Sequence, residues 1–363
     1  MTSWILTLLV AFGACASLLP IVRHFARRWG IYDRTGELTI HVGSIPRVGG
    51  VAMAVAFVVA VIAAGQVQSR VMAYFLVALT VVWLVGFIDD LREVPPSVKL
   101  LAHATSAVLL YYGGVGVAIS TSTVVNLIAT IILVIWFVNA FNFIDGADGV
   151  AAGIAGLVAF AFMALFAIQH NSGSLVVAVA LFGCCLGFLL FNFPPASIFM
   201  GDCGSTMLGL VLAWLSLVSI RTQPGTYLSL ATPLMFSSLP LADATFAVIR
   251  RVRGRKSPFA GDRRHFYDLL LQRGWSCRRV ALVSYLATAV FAFLGLLGQG
   301  AHLNVELAAV ASVLMVVLGI TLGSLIPEAQ ITKFNETNTA HSGMREQISK
   351  PDRKVAPTTD SAI

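Results

Sequence analysis

The sequence is poor in charge: Asp, Glu, Lys and Arg make up only 11% of its 363 residues, against about a quarter in an ordinary soluble domain. A water-soluble core of this length would need a far more polar surface, so a soluble globular protein is excluded. Disorder would require the opposite composition. Cysteine is scarce and unpatterned. Cys15, Cys184, Cys185, Cys203 and Cys277 are odd in number, lack C-x-x-C spacing, and three lie in apolar runs, which implies neither a disulfide framework nor a zinc site. A GxxxxGK phosphate loop is missing, as is any repeat of fixed period. Acidic residues number only 17, so where they fall carries more information than how many there are.

What is abundant is apolar. Hydrophobic residues make up 58% and the mean hydropathy is +0.86, an excess that must face lipid. The expected fold is all-α, a polytopic integral membrane protein. Cutting at charged and Gly/Pro-rich breaks gives eleven spans, approximately 4–22, 48–66, 71–88, 98–113, 123–140, 151–169, 174–191, 205–220, 227–249, 280–298 and 304–325, for a hydrocarbon layer of ~30 Å. The loops alternate between two sides, and 22 of the 24 Lys and Arg fall on one of them, the exceptions being Arg70 and Arg221. That side is expected to be the cytoplasm, which puts the C-terminus inside and the N-terminus on the opposite side. The net charge of +7 is then a topology signal, and a nucleic-acid partner is discounted. No Lys or Arg precedes the first span, which argues for a retained helix over a signal peptide. Residues 1–326 are expected to form one multi-span transmembrane domain and 327–363 a disordered polar cytoplasmic tail.

Five aspartates gather at the expected cytoplasmic ends of the spans: Asp89 and Asp90 in GFIDDLREVPPSVK, Asp145 and Asp148 in NAFNFIDGADGVAAG, and Asp202 in FNFPPASIFMGDCGST. One such residue ordinarily caps a helix. Five together repel at a low-dielectric boundary and persist mainly where a divalent cation or cationic ligand neutralises them. Hard oxygen donors suit Mg2+, with Mn2+ second. Asn139 and Asn142 precede Asp145 and Asp148 at the same three-residue interval, one face of a helical turn. The segment 250–279 carries ten basic residues on the same side, either as a plain topology determinant or as a clamp for a pyrophosphate-bearing substrate. His265 is the only histidine in that segment. Asp243 lies inside the ninth span, seven residues before Arg250, as a functional group or a structural hydrogen-bonding residue.

At these residues the sequence resembles the polyprenyl-phosphate N-acetylhexosamine-1-phosphate transferases, membrane enzymes of glycosyltransferase family 4 that start O-antigen and other cell-envelope polysaccharides and are relatives of the phospho-N-acetylmuramoyl-pentapeptide transferases. The likeness runs from about Asp33 to Gly274. It comprises H-x3-IPRVGG at 41–50, the Asp89-Asp90 pair with Lys99 nine residues on, NAFNFIDGADG, Asn192 ten residues before Asp202, PLxD-x6-RR ending at Arg251, and DRRH at 262–265. The resemblance implies transfer of a sugar 1-phosphate from a UDP-N-acetylhexosamine to undecaprenyl phosphate, with release of UMP and a need for magnesium. It also implies site roles. Asp202 and Asn142 would be metal residues; Asp89, Asp90, Lys99 and His265 catalytic; His41, Asn139, Asp145, Asp148, Asn192, Arg263 and Arg264 substrate-binding. Many relatives carry HxHH in the last loop, whereas this chain reads His265-Phe266-Tyr267-Asp268, and Tyr267 cannot hold a protonated charge near neutrality. The identity of the sugar and the oligomeric state, a homodimer included, stay open.

Two rivals are weighed against this expectation. A cation-coupled transporter would place polar residues near the bilayer midplane, which only Asp243 fits. A CDP-alcohol phosphotransferase would need a DG-x2-AR segment, but Asp148-Gly149 is followed by Val150, Ala151, Ala152 and Gly153.

Overall fold

A computed structural model describes residues 2–32, 45–221, 228–257 and 263–300. The described chain is helical, with two isolated bridges, Tyr32 to Pro46 and Arg47 to Phe199, and no longer strand among the described residues. The helices are α1 (Thr2–Arg28), α2 (Gly49–Ala63), α3 (Arg70–Leu91), α4 (Pro96–Tyr112), α5 (Thr123–Phe143), α6 (Val150–Ile168), α7 (Ser172–Asn192), α8 (Gly201–Arg221), α9 (Leu228–Phe236), α10 (Ser238–Arg253), α11 (Phe266–Gln272) and α12 (Cys277–Gly300).

Seven of these, α1, α3, α5, α6, α7, α8 and α12, are long and apolar enough to cross a membrane, and α9 with α10 makes an eighth if the bent pair counts as one span. The chain is a multi-pass membrane protein. Among the described residues seven or eight of the eleven expected spans pass on length and apolarity. At 15 and 17 residues, α2 and α4 are only about 22–26 Å long at 1.5 Å per residue, short of the ~30 Å hydrocarbon layer. The ninth expected span bends by 85° at Ser237, because Pro240 has no N–H for the turn before it and starts a new helix instead. The eleventh span and the tail lie outside the described residues.

Burial sorts the helices into a centre and a rim. Nearly every residue of α8 is buried, although it is the least hydropathic of the seven spans; packed on all sides by protein, it needs no lipid-compatible surface. On the rim, α12 exposes Leu286, Val290, Phe293 and Leu297 while burying Ala281, Ser284, Thr288 and Ala292, which gives it one lipid face and one packing face at helical spacing. Side chains of Ser69, Ser122 and Asn171 accept from the third residue of the helix they precede and start α3, α5 and α7. These three helices run to the end of the bundle where α2, α4, α6 and α8 begin, and the polar residues collect at that end.

Candidate active site

Close backbone approach sets the geometry. A Cβ on Gly86 would lie 2.8 Å from the backbone of Asp202 and Cys203, so only glycine lets α3 meet the first turn of α8. One helical turn further, Asp90 reaches across. Its two carboxylate oxygens accept the backbone N–H groups of Asp202, at 2.7 Å, and Cys203, at 3.0 Å, supplying from another helix the N-cap that α8 lacks in its own sequence. Gly201 just before has a φ of 73°, and its open side faces the Asp90 carboxylate.

Asp202 then points into a cationic bracket. Arg47 Nη2 lies 2.6 Å from its Oδ1 and Lys99 Nζ lies 2.7 Å from its Oδ2. Lys99 is also 2.7 Å from Asp89 Oδ2, and the other oxygen of Asp89 accepts the Val94 N–H at 2.8 Å. Arg47 Nε is 3.5 Å from Asp90, and Arg47 is carried on a segment whose backbone bonds to that of 199–200. Three carboxylates and two cations thus share one partly buried site, and their formal charges sum to −1. Asn142 donates to Ser205 Oγ at 3.0 Å, beside Asp202. Asn139 donates to the Ile135 carbonyl and lies 3.4 Å from His103 Nδ1, one turn along α4 from Lys99.

A second constellation adjoins the first through consecutive residues of α5. Phe143, next to Asn142, packs on His265 with ring centroids 5.5 Å apart, and Arg251 stacks over its ring. His265 Nδ1 lies 2.5 Å from Asp243 Oδ2, and Asp243 Oδ1 accepts the Phe266 N–H at 2.8 Å. Asp268 accepts the His265 N–H at 3.3 Å, closing the first turn of α11. Tyr267 stacks parallel to His265 and donates to the Phe143 carbonyl. Burial, with the charges of Asp268, Asp243 and Asp145, pushes the Tyr267 phenol well above its ordinary range. Burial likewise lifts Asp268 to about 6, against the lowering pull of His265 and Arg263.

The remaining expected residues divide. Asp148 and Asn192 are buried and knit two loops: Asp148 accepts the Ala196 N–H, while Asn192 accepts from Gly149 and donates to Ile198. Asp145 and Arg263 lie close enough to Tyr267 to act on it electrostatically, and Arg264 is half-buried beside His265. His41 lies outside the described residues. Sequence reasoning passed over Arg47, Ser205 and His103. Their signals were present: Arg47 is the single cation of a Gly-rich apolar turn, Ser205 follows Asp202 by three residues, and His103 follows Lys99 by four.

Among the described residues no group of three or more His, Cys, Asp and Glu is disposed to hold a metal ion by itself. The donor chemistry nevertheless fits Mg2+, which commonly takes one or two carboxylates and completes its shell with water and substrate phosphate. Asp202 offers such a carboxylate in a site where carboxylates outnumber cations.

Fold and site define a multi-pass membrane protein with a carboxylate and cation cluster suited to phosphate chemistry at one end of its bundle. The model of glycosyl transferase family 4 matches residues 72–220. The chain is 34% identical over 310 residues to the decaprenyl-phosphate N-acetylglucosaminephosphotransferase of Mycobacterium tuberculosis (strain ATCC 25618 / H37Rv), covering 75% of this chain and 76% of that one. It is 35% identical over 296 residues to the protein of the same name from Mycobacterium leprae (strain TN), covering 71% and 74%. It is 26% identical over 302 residues to the undecaprenyl-phosphate alpha-N-acetylglucosaminyl 1-phosphate transferase of Escherichia coli (strain K12), covering 78% and 81%. The chain belongs to glycosyl transferase family 4, among the polyprenyl-phosphate N-acetylglucosamine-1-phosphate transferases.

Proposed function

We propose that the protein transfers N-acetylglucosamine 1-phosphate from its UDP-sugar to undecaprenyl phosphate at the cytoplasmic face of a bacterial inner membrane, with Mg2+ as cofactor. The observation that carries this reading is the linked run Arg47, Asp202, Lys99 and Asp89, in which two cations are held by carboxylates within reach of one another. The choice of sugar is supported by the names of the relatives, and the sidedness by the placement of 22 of the 24 Lys and Arg.

The chemistry asks mainly for alignment and charge stabilisation. An oxygen of the lipid phosphate bonds to the sugar-linked phosphorus while the bond to UMP breaks, and UMP leaves with the electron pair. Mg2+, held by Asp202 with Asn142 beside it, would offset negative charge on the diphosphate. Lys99 and Arg47 supply further positive charge. The lipid phosphate is already largely ionised near neutrality, its second pKa being about 6, so orientation matters more than a strong base. Asp89 suits that task better than Asp90, whose oxygens are occupied by the N-terminus of α8. Asp148 and Asn192 hold the loops that frame the nucleotide. A cation-coupled transporter would keep Asp243 near the bilayer midplane; its bonds to His265 and Phe266 remove the feature that favoured one.

The test is incubation of purified protein with undecaprenyl phosphate and a panel of UDP-N-acetylhexosamines, followed by mass spectrometry of the lipid. A lipid-linked sugar phosphate and UMP, abolished by EDTA and restored by Mg2+, is the expected result. Absence of any lipid-linked product overturns the reading.

A further inference from the structure

The Asp243 carboxylate is committed on both oxygens to one short stretch of the neighbouring loop, the ring Nδ1 of His265 and the backbone N–H of Phe266. It is buried, as is His265. Buried carboxylates are retained where they are paired and hydrogen-bonded, and this one joins the membrane helix α10 to a loop next to the metal-binding candidates. Two aromatic rings pack on the ring of His265, and its backbone is tied as well. Tyr267 stacks on it at 5.7 Å with an interplanar angle of 5°, Phe143 packs at 5.5 Å, and the backbone N–H donates to Asp268. An imidazole held this way has one orientation. A carboxylate at Nδ1 requires the proton there, stabilises the imidazolium, and assigns chemistry with the substrate to Nε2.

We propose that Asp243 is a positioning residue for the transfer reaction: through Nδ1 it holds His265 as a charged donor whose Nε2–H meets the diphosphate of the UDP-sugar as the bond to UMP breaks. The inference rests on the transferase reading above and deepens it. In the step, the lipid phosphate oxygen forms the new P–O bond, UMP departs with the electrons of the old one, and the His265 proton stays on nitrogen, lowering the energy of the charge gathering on the UMP phosphate. Asp243 touches no substrate. Its negative charge does the work, not its bulk, which separates this role from that of a structural strut.

The experiment compares wild type, Asp243→Asn, Asp243→Glu, His265→Gln and the Asp243→Asn/His265→Gln double variant of the full chain in detergent, with UDP-N-acetylglucosamine and undecaprenyl phosphate. Asn can hold the backbone bond to Phe266 but not the charge. Asp243→Asn and His265→Gln are each expected to lower kcat by about 100-fold, within the range for a positioned proton-bearing group, with KM for the UDP-sugar within about threefold of wild type, as for an interaction made only in the transition state. The double variant should be no slower than the slower single, because the two residues act as one unit. Asp243→Glu, which restores a carboxylate, should be at least about tenfold faster than Asp243→Asn, a difference of about 1.4 kcal/mol in barrier, and it decides the matter if Asp243→Asn proves unfolded by its melting curve. Asp243→Asn within threefold of wild type, multiplicative losses in the double variant, or no advantage of Glu over Asn each overturns this inference alone. A wild-type protein that makes no lipid-linked product overturns the transferase reading and this inference together.

Discussion

The carboxylate of Asp90 accepts the backbone N–H of Asp202 at 2.7 Å, so one aspartate of the site serves as the helix cap of another. Neighbouring carboxylates of a single motif therefore have different work. Asp90 supports the first turn of α8, while Asp89 faces the Lys99 ammonium. Replacing Asp90 with Ala leaves two buried N–H groups unpaired and is expected to cost about 2 kcal/mol of stability, read as a lower melting temperature together with lost activity. Asp89→Asn should keep the wild-type melting curve and lose turnover by about 100-fold. Equal melting curves for the two variants would show that the cap is not what Asp90 contributes.

Lys99 is the shared counter-ion of Asp89 and Asp202. Its removal in Lys99→Ala leaves three carboxylates with one cation, and breaking such a partly buried pair is expected to cost about 1–3 kcal/mol. Millimolar Mg2+ should return part of that stability by binding the folded state only. The expected outcome is a larger rise in melting temperature on adding Mg2+ for Lys99→Ala than for wild type, with product formation still strongly impaired because a phosphate-facing cation is gone. An identical Mg2+ response in both proteins would count against metal binding at these carboxylates.

Gly86→Ala tests whether close approach, not the acidic residues alone, builds the site. The added Cβ would meet the Asp202 backbone at 2.8 Å, and neither helix can yield without moving Asp90 away from its partners. Overpacking of this kind is expected to cost about 1–3 kcal/mol and to remove activity although no polar group changes. A fully active Gly86→Ala would mean that α3 and α8 have slack between them.

Much of this site was legible in the sequence, because charge in an otherwise apolar chain is conspicuous: Asp89, Asp90 and Asp202 stood out by their clustering, Asn142 by its spacing, and Lys99 and the role of His265 by the family pattern. The fold class followed from composition. What could not be read were relationships set by packing. Nothing in the spacing of Asp90 and Asp202, 112 residues apart, reveals that one caps the other, and the close approach at Gly86 leaves no mark in hydropathy. Apolarity alone does not show where a helix stops short or bends, as at α2, α4 and before Pro240. Asp148 and Asn192, substrate-binding by the resemblance, bond to the backbone of Ala196, Gly149 and Ile198, pairings that no spacing in the sequence announces.

Asp268 gives the loop a pH dependence of definite sign. Burial raises its carboxyl from 3.8 to about 6 in the folded protein, so between those values the folded state binds a proton that the unfolded chain does not. Stability must then fall as pH rises through that window. Above about 6 the folded protein holds a buried charge, disfavoured by at most about 3 kcal/mol relative to its protonated form at 1.36 kcal/mol per pH unit. Asp268→Asn keeps an acceptor for the His265 N–H while removing the charge. It is expected to melt higher than wild type at pH 7.5 and to approach it near pH 4.5, with the two curves converging as the wild-type carboxyl takes up its proton. Melting temperatures recorded in one detergent across that range measure the difference directly. A gap that stays constant with pH would place the Asp268 titration outside this window, and a gap that widens toward acid would reverse the sign and make the ionised carboxylate a stabilising partner of His265 and Arg263.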